Sequence, residues 1–279
     1  NRELAQLVNA DPALAALVMH RANSAYFGAP TNVSSVSQAV VRMGFEETRA
    51  LVLSLAVKQA FAEKAGKESA AQVQDFWRHA LAVGTLSRLF AGKQPEEKED
   101  HAFAAGLLHD LGRLALRLVL GTAYGEVLQG PADSCWSRRE YLALGVTHET
   151  VGYLLARRWR LPDQVAVAAL RHHLFPGGST PEESEEERML RPVYVANLVA
   201  KALGEDDGDD VLEEIDPAVW EALARGEPAE TLIREHLPRE LASYRGFLGG
   251  KGRGGPARKE PPPALSCYCW RPPRLPLSL

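Results

Sequence analysis

The sequence predicts an all-α fold, and three features carry that prediction. Apolar residues recur three and four positions apart, as in Leu4, Leu7 and Val8 or Leu14, Leu17 and Val18. Start signals such as Asp11-Pro12 and Asp216-Pro217, and stop signals such as Gly44 and Gly145, punctuate the pattern. No stretch shows the sustained apolar–polar alternation of a half-buried strand.

Taken in order, residues 1–8 start a helix and Asn9-Ala-Asp-Pro restarts the chain, with Asp11 as cap and Pro12 in the first helical position. Residues 23–28 end the second helix, with Gly28 suited to a left-handed stop. Ser35–Met43 reads as a short helix closed by Gly44, Phe45–Phe61 as a longer one, and Ala70–Phe90 as another that carries His79. Residues 92–100, GKQPEEKED, read as a charged loop. Ala102–Leu120 reads as one helix, apolar except for His109, Asp110, Arg113 and Arg117. Ser134–Leu144, Thr147–Trp159 and Pro162–His173 follow as helices, then an acidic loop over 175–187 and a helix over Met189–Leu203. Further helices are expected near Ala218–Ala224 and Ala229–Phe247. From residue 249 the composition turns to Pro, Gly and Arg, which predicts a disordered tail. The domain thus spans 1–248, with a core of 1–203, C-terminal helices over 204–248, and a tail of 249–279.

Composition narrows the function classes. The chain has 279 residues, 46% hydrophobic and 24% charged, which suits one large globular domain or two small ones. A net charge of −4 gives no global attraction to nucleic acid or an anionic membrane. No run approaches the roughly 18 apolar residues of a membrane span. Three cysteines make neither a disulfide framework nor a zinc pattern, and a cytoplasmic location is expected. The chain lacks a Met start and reads as trimmed at its N-terminus.

Five of the eight histidines lie on four expected helices: His79, His109, His148, His172 and His173. Imidazole and carboxylate ligate zinc, manganese or iron, and a helical domain builds such sites from facing helices. Adjacent residues on a helix point about 100° apart, so His109 and Asp110 reach one site only if a helix end faces it. The plain alternative is structural. A buried histidine is often a satisfied core residue, and His172-His173 could cap a helix C-terminus.

The segments DPALAALVMHRANSAYFG (11–28), VSQAVVRMGFEETRALVL (36–53), FWRHALAV (76–83), FAAGLLHDLGRLAL (103–116), THETVGYLLARRWRLP (147–162) and ALRHH (169–173) resemble the HDOD domain, a branch of the HD superfamily of helical metal-dependent phosphohydrolases. The resemblance covers roughly residues 1–200. It implies a helical HD-like fold and a regulatory place in bacterial signal transduction, beside sensor or receiver domains.

Metal-binding relatives use a His, a His-Asp pair and a distant Asp, with further His in those that cleave cyclic dinucleotides. The resemblance places the first His at His79, the pair at His109 and Asp110, and the added His at His148, His172 and His173. The distant Asp falls in VYVANLVA (193–200), where this chain has Asn197. Arg113 stands where phosphodiesterases carry Lys and could clamp a phosphate. The Gly-Tyr-Pro segment after His-His is missing. Asn offers a neutral carbonyl where Asp offers a charge, so two divalent ions would face a single carboxylate among the matched ligands.

Two readings follow. One is a non-catalytic regulatory module with a vestigial metal site and no cofactor expected, or a divalent metal (iron, manganese or zinc) if the site is retained, acting through signalling proteins or a small, nucleotide-like ligand. The other is a phosphohydrolase, such as a cyclic-dinucleotide phosphodiesterase, using a divalent metal. No basic helix face marks a nucleic-acid binder. Tyr26-Phe27 reads as core packing, with a partner contact as the alternative.

Overall fold

A computed structural model describes residues 2–24, 27, 32–64, 69–91, 96–129, 135–174, 185–202, 241–242 and 244. All its regular elements are helical among these residues. The elements are α1 (Arg2–Ala10), α2 (Pro12–Ala22), α3 (Val36–Met43), α4 (Phe45–Lys64), α5 (Ser69–Ala91), α6 (Glu96–Leu108), α7 (Leu111–Leu120), α8 (Thr122–Leu128), α9 (Trp136–Leu144), α10 (His148–Arg158), α11 (Asp163–Arg171) and α12 (Glu185–Ala202).

Local signals act where the sequence places them. The Asp11 carboxylate accepts from the backbone N–H groups of Ala13 and Leu14 at 2.8 and 3.1 Å, with Pro12 opening α2. Ser35 caps α3 through the N–H of Gln38. Gly44 closes α3 at φ 82°, and Gly145 closes α9 in the left-handed region at φ 72°.

The expected single helix over 102–120 is wrong. The chain breaks at His109-Asp110 into α6 and α7, and Asp110 occupies the N-cap position of α7. Apolar residues continue at helical spacing on both sides of the break, and neither Pro nor Asn marks it, so periodicity could not show it. The expected loop over 92–100 is shortened, because α6 begins at Glu96. The acidic loop over 175–187 likewise yields to α12 from Glu185. Gly28, Tyr26, the helix near 218–224, most of 229–247 and the tail of 249–279 lie outside the described residues.

The core has two parts. The larger joins α1–α4 to the inner faces of α5, α6, α7 and α10, around Val18, Leu51, Trp77, Leu81 and Phe103. The smaller packs α12 against α5, around Val83, Leu86, Val193 and Val199. Phe27 lies against the larger part, as core packing predicts. Two glycine crossings set the spacing of the elements that matter here. A Cβ on Gly106 of α6 would lie 2.9 Å from Gly84 Cα of α5. A Cβ on Gly112 of α7 would lie 1.9 Å from the carbonyl oxygen of His148. Such backbone approaches exclude any larger residue and draw α6 onto α5 and α7 onto α10.

Candidate metal centre

Those crossings gather the histidines. His79 projects from α5, His109 and Asp110 occupy the α6–α7 break, His148 opens α10, and His172 caps the end of α11. Helix ends face the site, which is the condition under which adjacent His109 and Asp110 can share it. His79, His109, Asp110, His148 and His172 are all buried, and His173 is half-buried. Ring centroids lie 5.4 Å apart for His79–His109, 4.8 Å for His109–His172 and 4.1 Å for His172–His173. Three sets of potential ligand atoms result among the described residues, each within 4.8 Å of one another: Asp110, His148, His172 and His173; His79, His109 and Asp110; and Glu140, His148 and Glu149.

The outward hydrogen bonds fix the tautomers of three rings. His109 Nδ1 lies 2.7 Å from the Gly106 carbonyl oxygen. His172 Nδ1 lies 3.1 and 3.2 Å from the carbonyl oxygens of Ala169 and Ala168. His148 Nδ1 lies 2.7 Å from Glu140 Oε2. A carbonyl or carboxylate oxygen only accepts, so Nδ1 carries the proton in each ring. In a neutral ring the Nε2 lone pair then faces inward, the arrangement usual for a metal-bound imidazole.

Asp110 is the hub. Its Oδ2 accepts from Arg113 Nη1 at 2.9 Å, and its Oδ1 lies 3.1 Å from His172 Nε2 and 3.6 Å from His148 Nε2. Burial favours the protonated carboxyl, but Arg113, then His109, and the histidine contacts hold its pKa well below the ordinary carboxylate value. His109 Nε2, His172 Nε2 and Asp110 Oδ1 are buried without hydrogen-bond geometry to a partner. Buried donors and acceptors are rarely left so. His109 Nε2 belongs to one ligand set and His172 Nε2 to another, with Asp110 common to both, and the imidazole–carboxylate donor set fits zinc, manganese or iron.

Arg113 is buried, with its Cζ 3.6 Å from the centre of the Trp136 ring. Asn197 is buried on α12, which packs against α5, α6 and α11, and its Oδ1 has no hydrogen-bond partner. His20 is exposed and His101 half-buried, apart from this set as expected, and His236 lies outside the described residues.

Sequence reasoning missed two carboxylates behind His148. Glu140 Oε2 accepts from both the backbone N–H and Nδ1 of His148 at 2.7 Å, and Tyr124 donates its hydroxyl to Glu140 Oε1. Glu149 accepts from Ser137 Oγ and lies 3.6 Å from His148 Nδ1. Burial opposes the charge on His148, yet Glu140 and Glu149 raise its pKa to about 10. Burial likewise opposes the charge on Glu149, while His148, His173 and His172 push its pKa down to about 2. Burial keeps His172 neutral, with its pKa below the usual imidazole value. Glu140 stands one helical turn from Trp136 on the same face of α9, a relation that becomes informative only once that face is known to be buried.

A model of the HDOD domain family matches residues 1–175. An HDOD domain protein of unknown function from Geobacter sulfurreducens shares the fold at a TM-score of 0.67 and 23% identity, with 88% of this chain and 86% of that one covered. A provisionally named signal transduction protein from Marinobacter aquaeolei VT8 has a TM-score of 0.60 and 26% identity, covering 88% of this chain and 54% of that one. A provisionally named metal-dependent phosphohydrolase from Shewanella amazonensis SB2B has a TM-score of 0.57 and 17% identity over 88% and 83%, a likeness of fold. An uncharacterised protein of Treponema pallidum (strain Nichols) is 27% identical over 220 residues, covering 76% of this chain, which spans only 40% of that relative's length. With an all-α fold, its matched segments and more than half its length covered by the family model, the chain belongs to the HDOD domain family.

Proposed function

We propose that this chain is a non-catalytic signal-transduction module that holds one divalent ion and acts through a protein partner or a small, nucleotide-like ligand. One observation carries the reading: Arg113 bonds Asp110 Oδ2, which also lies 3.4 Å from His109 Nε2, and leaves Oδ1 to His172 and His148. A bridge between two ions through both carboxylate oxygens would compete with that Arg113 bond. Charge balance agrees. With His148 neutral, one divalent ion and Arg113 offset Asp110, Glu140 and Glu149, whereas a second ion adds two uncompensated charges. Asn197, at the distant Asp position, supplies no further charge. The signal-transduction name of the Marinobacter relative supports the regulatory part.

The phosphohydrolase reading has its own observation. Two of the ligand sets share Asp110, as a two-metal site that activates water would require. Elemental analysis of protein purified without chelator, followed by assays with added manganese or iron, separates the two. The module reading expects one ion per chain, lost in His109→Ala, and no turnover of a cyclic dinucleotide. Two ions per chain, or turnover abolished by Asp110→Ala, sinks it.

A further inference from the structure

The buried side chains of α8 and α9 converge on the centre. Tyr124 is the buried residue of α8, and Trp136 and Glu140 are those of α9. Arg139 of α9 donates to the carbonyl oxygen of Leu128 at the end of α8, tying the two helices into one unit. The unit packs chiefly onto α7 at one end and α10 at the other, the helices that open with Asp110 and His148. From α9, Trp136 lies against the Arg113 guanidinium that grips Asp110 Oδ2. One turn on, Glu140 grips the His148 ring at Nδ1 and its backbone N–H. Both Glu140 oxygens are engaged on the far side of the His148 ring. Tyr124 bonds Oε1 and His148 bonds Oε2 through both its backbone N–H and Nδ1, the arrangement of a carboxylate that orients a ligand.

We infer that the α8–α9 unit sets the metal affinity of the centre, with Glu140 as the positioning residue for His148 and Trp136 as that for the Arg113–Asp110 pair. This rests on the one-ion reading above. A carboxylate on Nδ1 fixes the ring orientation and makes Nε2 a stronger electron-pair donor. A ring stacked on a guanidinium fixes the fork and thereby the Asp110 oxygen left for the ion. The unit thus acts on a neutral ligand and on the charged one.

The test is Co2+ titration of the full chain after chelator treatment, followed by visible absorption. Glu140→Gln keeps the shape of the side chain and removes its charge. Its Co2+ affinity is expected to fall about 10–100-fold with a changed absorption band. Tyr124→Phe keeps the charge and removes the hydroxyl that holds Oε1, with a several-fold loss expected. Leu142→Ala, on the exposed face of α9, is expected to match the wild type. Wild-type affinity and spectrum in both Glu140→Gln and Tyr124→Phe overturn the inference, as does an equal loss in Leu142→Ala. A wild type that takes up no Co2+ overturns the one-ion reading and the affinity claim together. The hold of Glu140 on His148 is then decided by nitrogen NMR of the labelled imidazoles. A His148 Nδ1–H signal displaced in Glu140→Gln supports it, and an unchanged one overturns it.

Discussion

His148 shows how one residue carries opposing demands. Burial disfavours its charge, but Glu140 and Glu149 hold its pKa at about 10, so the metal-free protein contains an imidazolium between carboxylates. Its folded pKa lies above the unfolded value of about 6.5, so the stability it contributes is complete below that pH and is lost as pH rises towards 10. Glu149 has the reverse sign. Its folded pKa of about 2 lies below the unfolded value of about 4.3, so its contribution is present above that pH and fades as pH falls to 2. Chelator-treated protein should therefore give its highest urea midpoint, as far as this pair decides it, between about pH 4.3 and 6.5. Glu149→Gln should flatten the acid limb and also lower the alkaline one, since His148 loses a partner. An acid limb identical to the wild type would refute the assignment. At this scale the ligands were legible, because His and Asp are conspicuous in apolar helices. Glu140 and Glu149 were not: a glutamate among arginines in WSRREYLAL looks like solvated surface, and only the fold turns it inward.

At the scale of elements, the centre depends on how closely α7 can approach α10. Gly112 makes that contact, and a Cβ there would lie 1.9 Å from His148 O and 2.6 Å from Gly152 N. Both atoms are backbone, so no side-chain rotation relieves the clash. Gly112→Ala should cost about 1–3 kcal/mol or more, read as a lowered urea midpoint. It should also weaken metal uptake, because the displaced atom belongs to His148 itself. Gly84→Ala is the graded comparison: its nearest neighbours would lie at 3.1–3.3 Å, so a few tenths of an ångström of give suffices and the loss should be smaller. Equal midpoints for Gly112→Ala and the wild type would mean that the crossing is looser than described. Most helices, their caps and their order were readable from periodicity and punctuation. The break at His109-Asp110 was not, because α6 and α7 are both apolar and the turn between them is held by tertiary contacts. Gly106 and Gly112, flanking the pair, were its local trace: each allows a backbone crossing and neither needs a helix stop.

Across the whole molecule, an early and a late segment of the chain meet in a second buried cluster. Arg21 of α2 and Arg88 of α5 both bond the Glu47 carboxylate of α4, and all three are buried. Tyr244 is buried against them: its hydroxyl lies 3.4 Å from Glu47 Oε1, its ring 4.7 Å from Arg21 Cζ, and its ring stacks on Phe103 at 6.0 Å. Tyr244 lies well beyond residue 175, where the family match ends, so the matched region alone leaves this cluster without one wall. The helical spacing over 229–247 suggested a helix there but could not say what it covers, since that depends on a contact spanning nearly two hundred residues. Removing the Glu47 charge leaves two buried guanidinium groups without their shared carboxylate, and Glu47→Gln should cost about 3–5 kcal/mol. Tyr244→Ala removes a buried aromatic ring and should cost about 3–5 kcal/mol, whereas Tyr244→Phe gives up a long hydroxyl contact and should cost about 1 kcal/mol or less. A chain ending at residue 240 loses Leu241 with Tyr244 and should have a urea midpoint at or below that of Tyr244→Ala. Its uptake of metal in the absence of urea should match the full chain, because the contacts of Tyr244 with Phe103, Arg21 and Glu47 belong to this cluster. If truncation lowered metal affinity while leaving the midpoint unchanged, the C-terminal segment would belong to the centre instead of to the core.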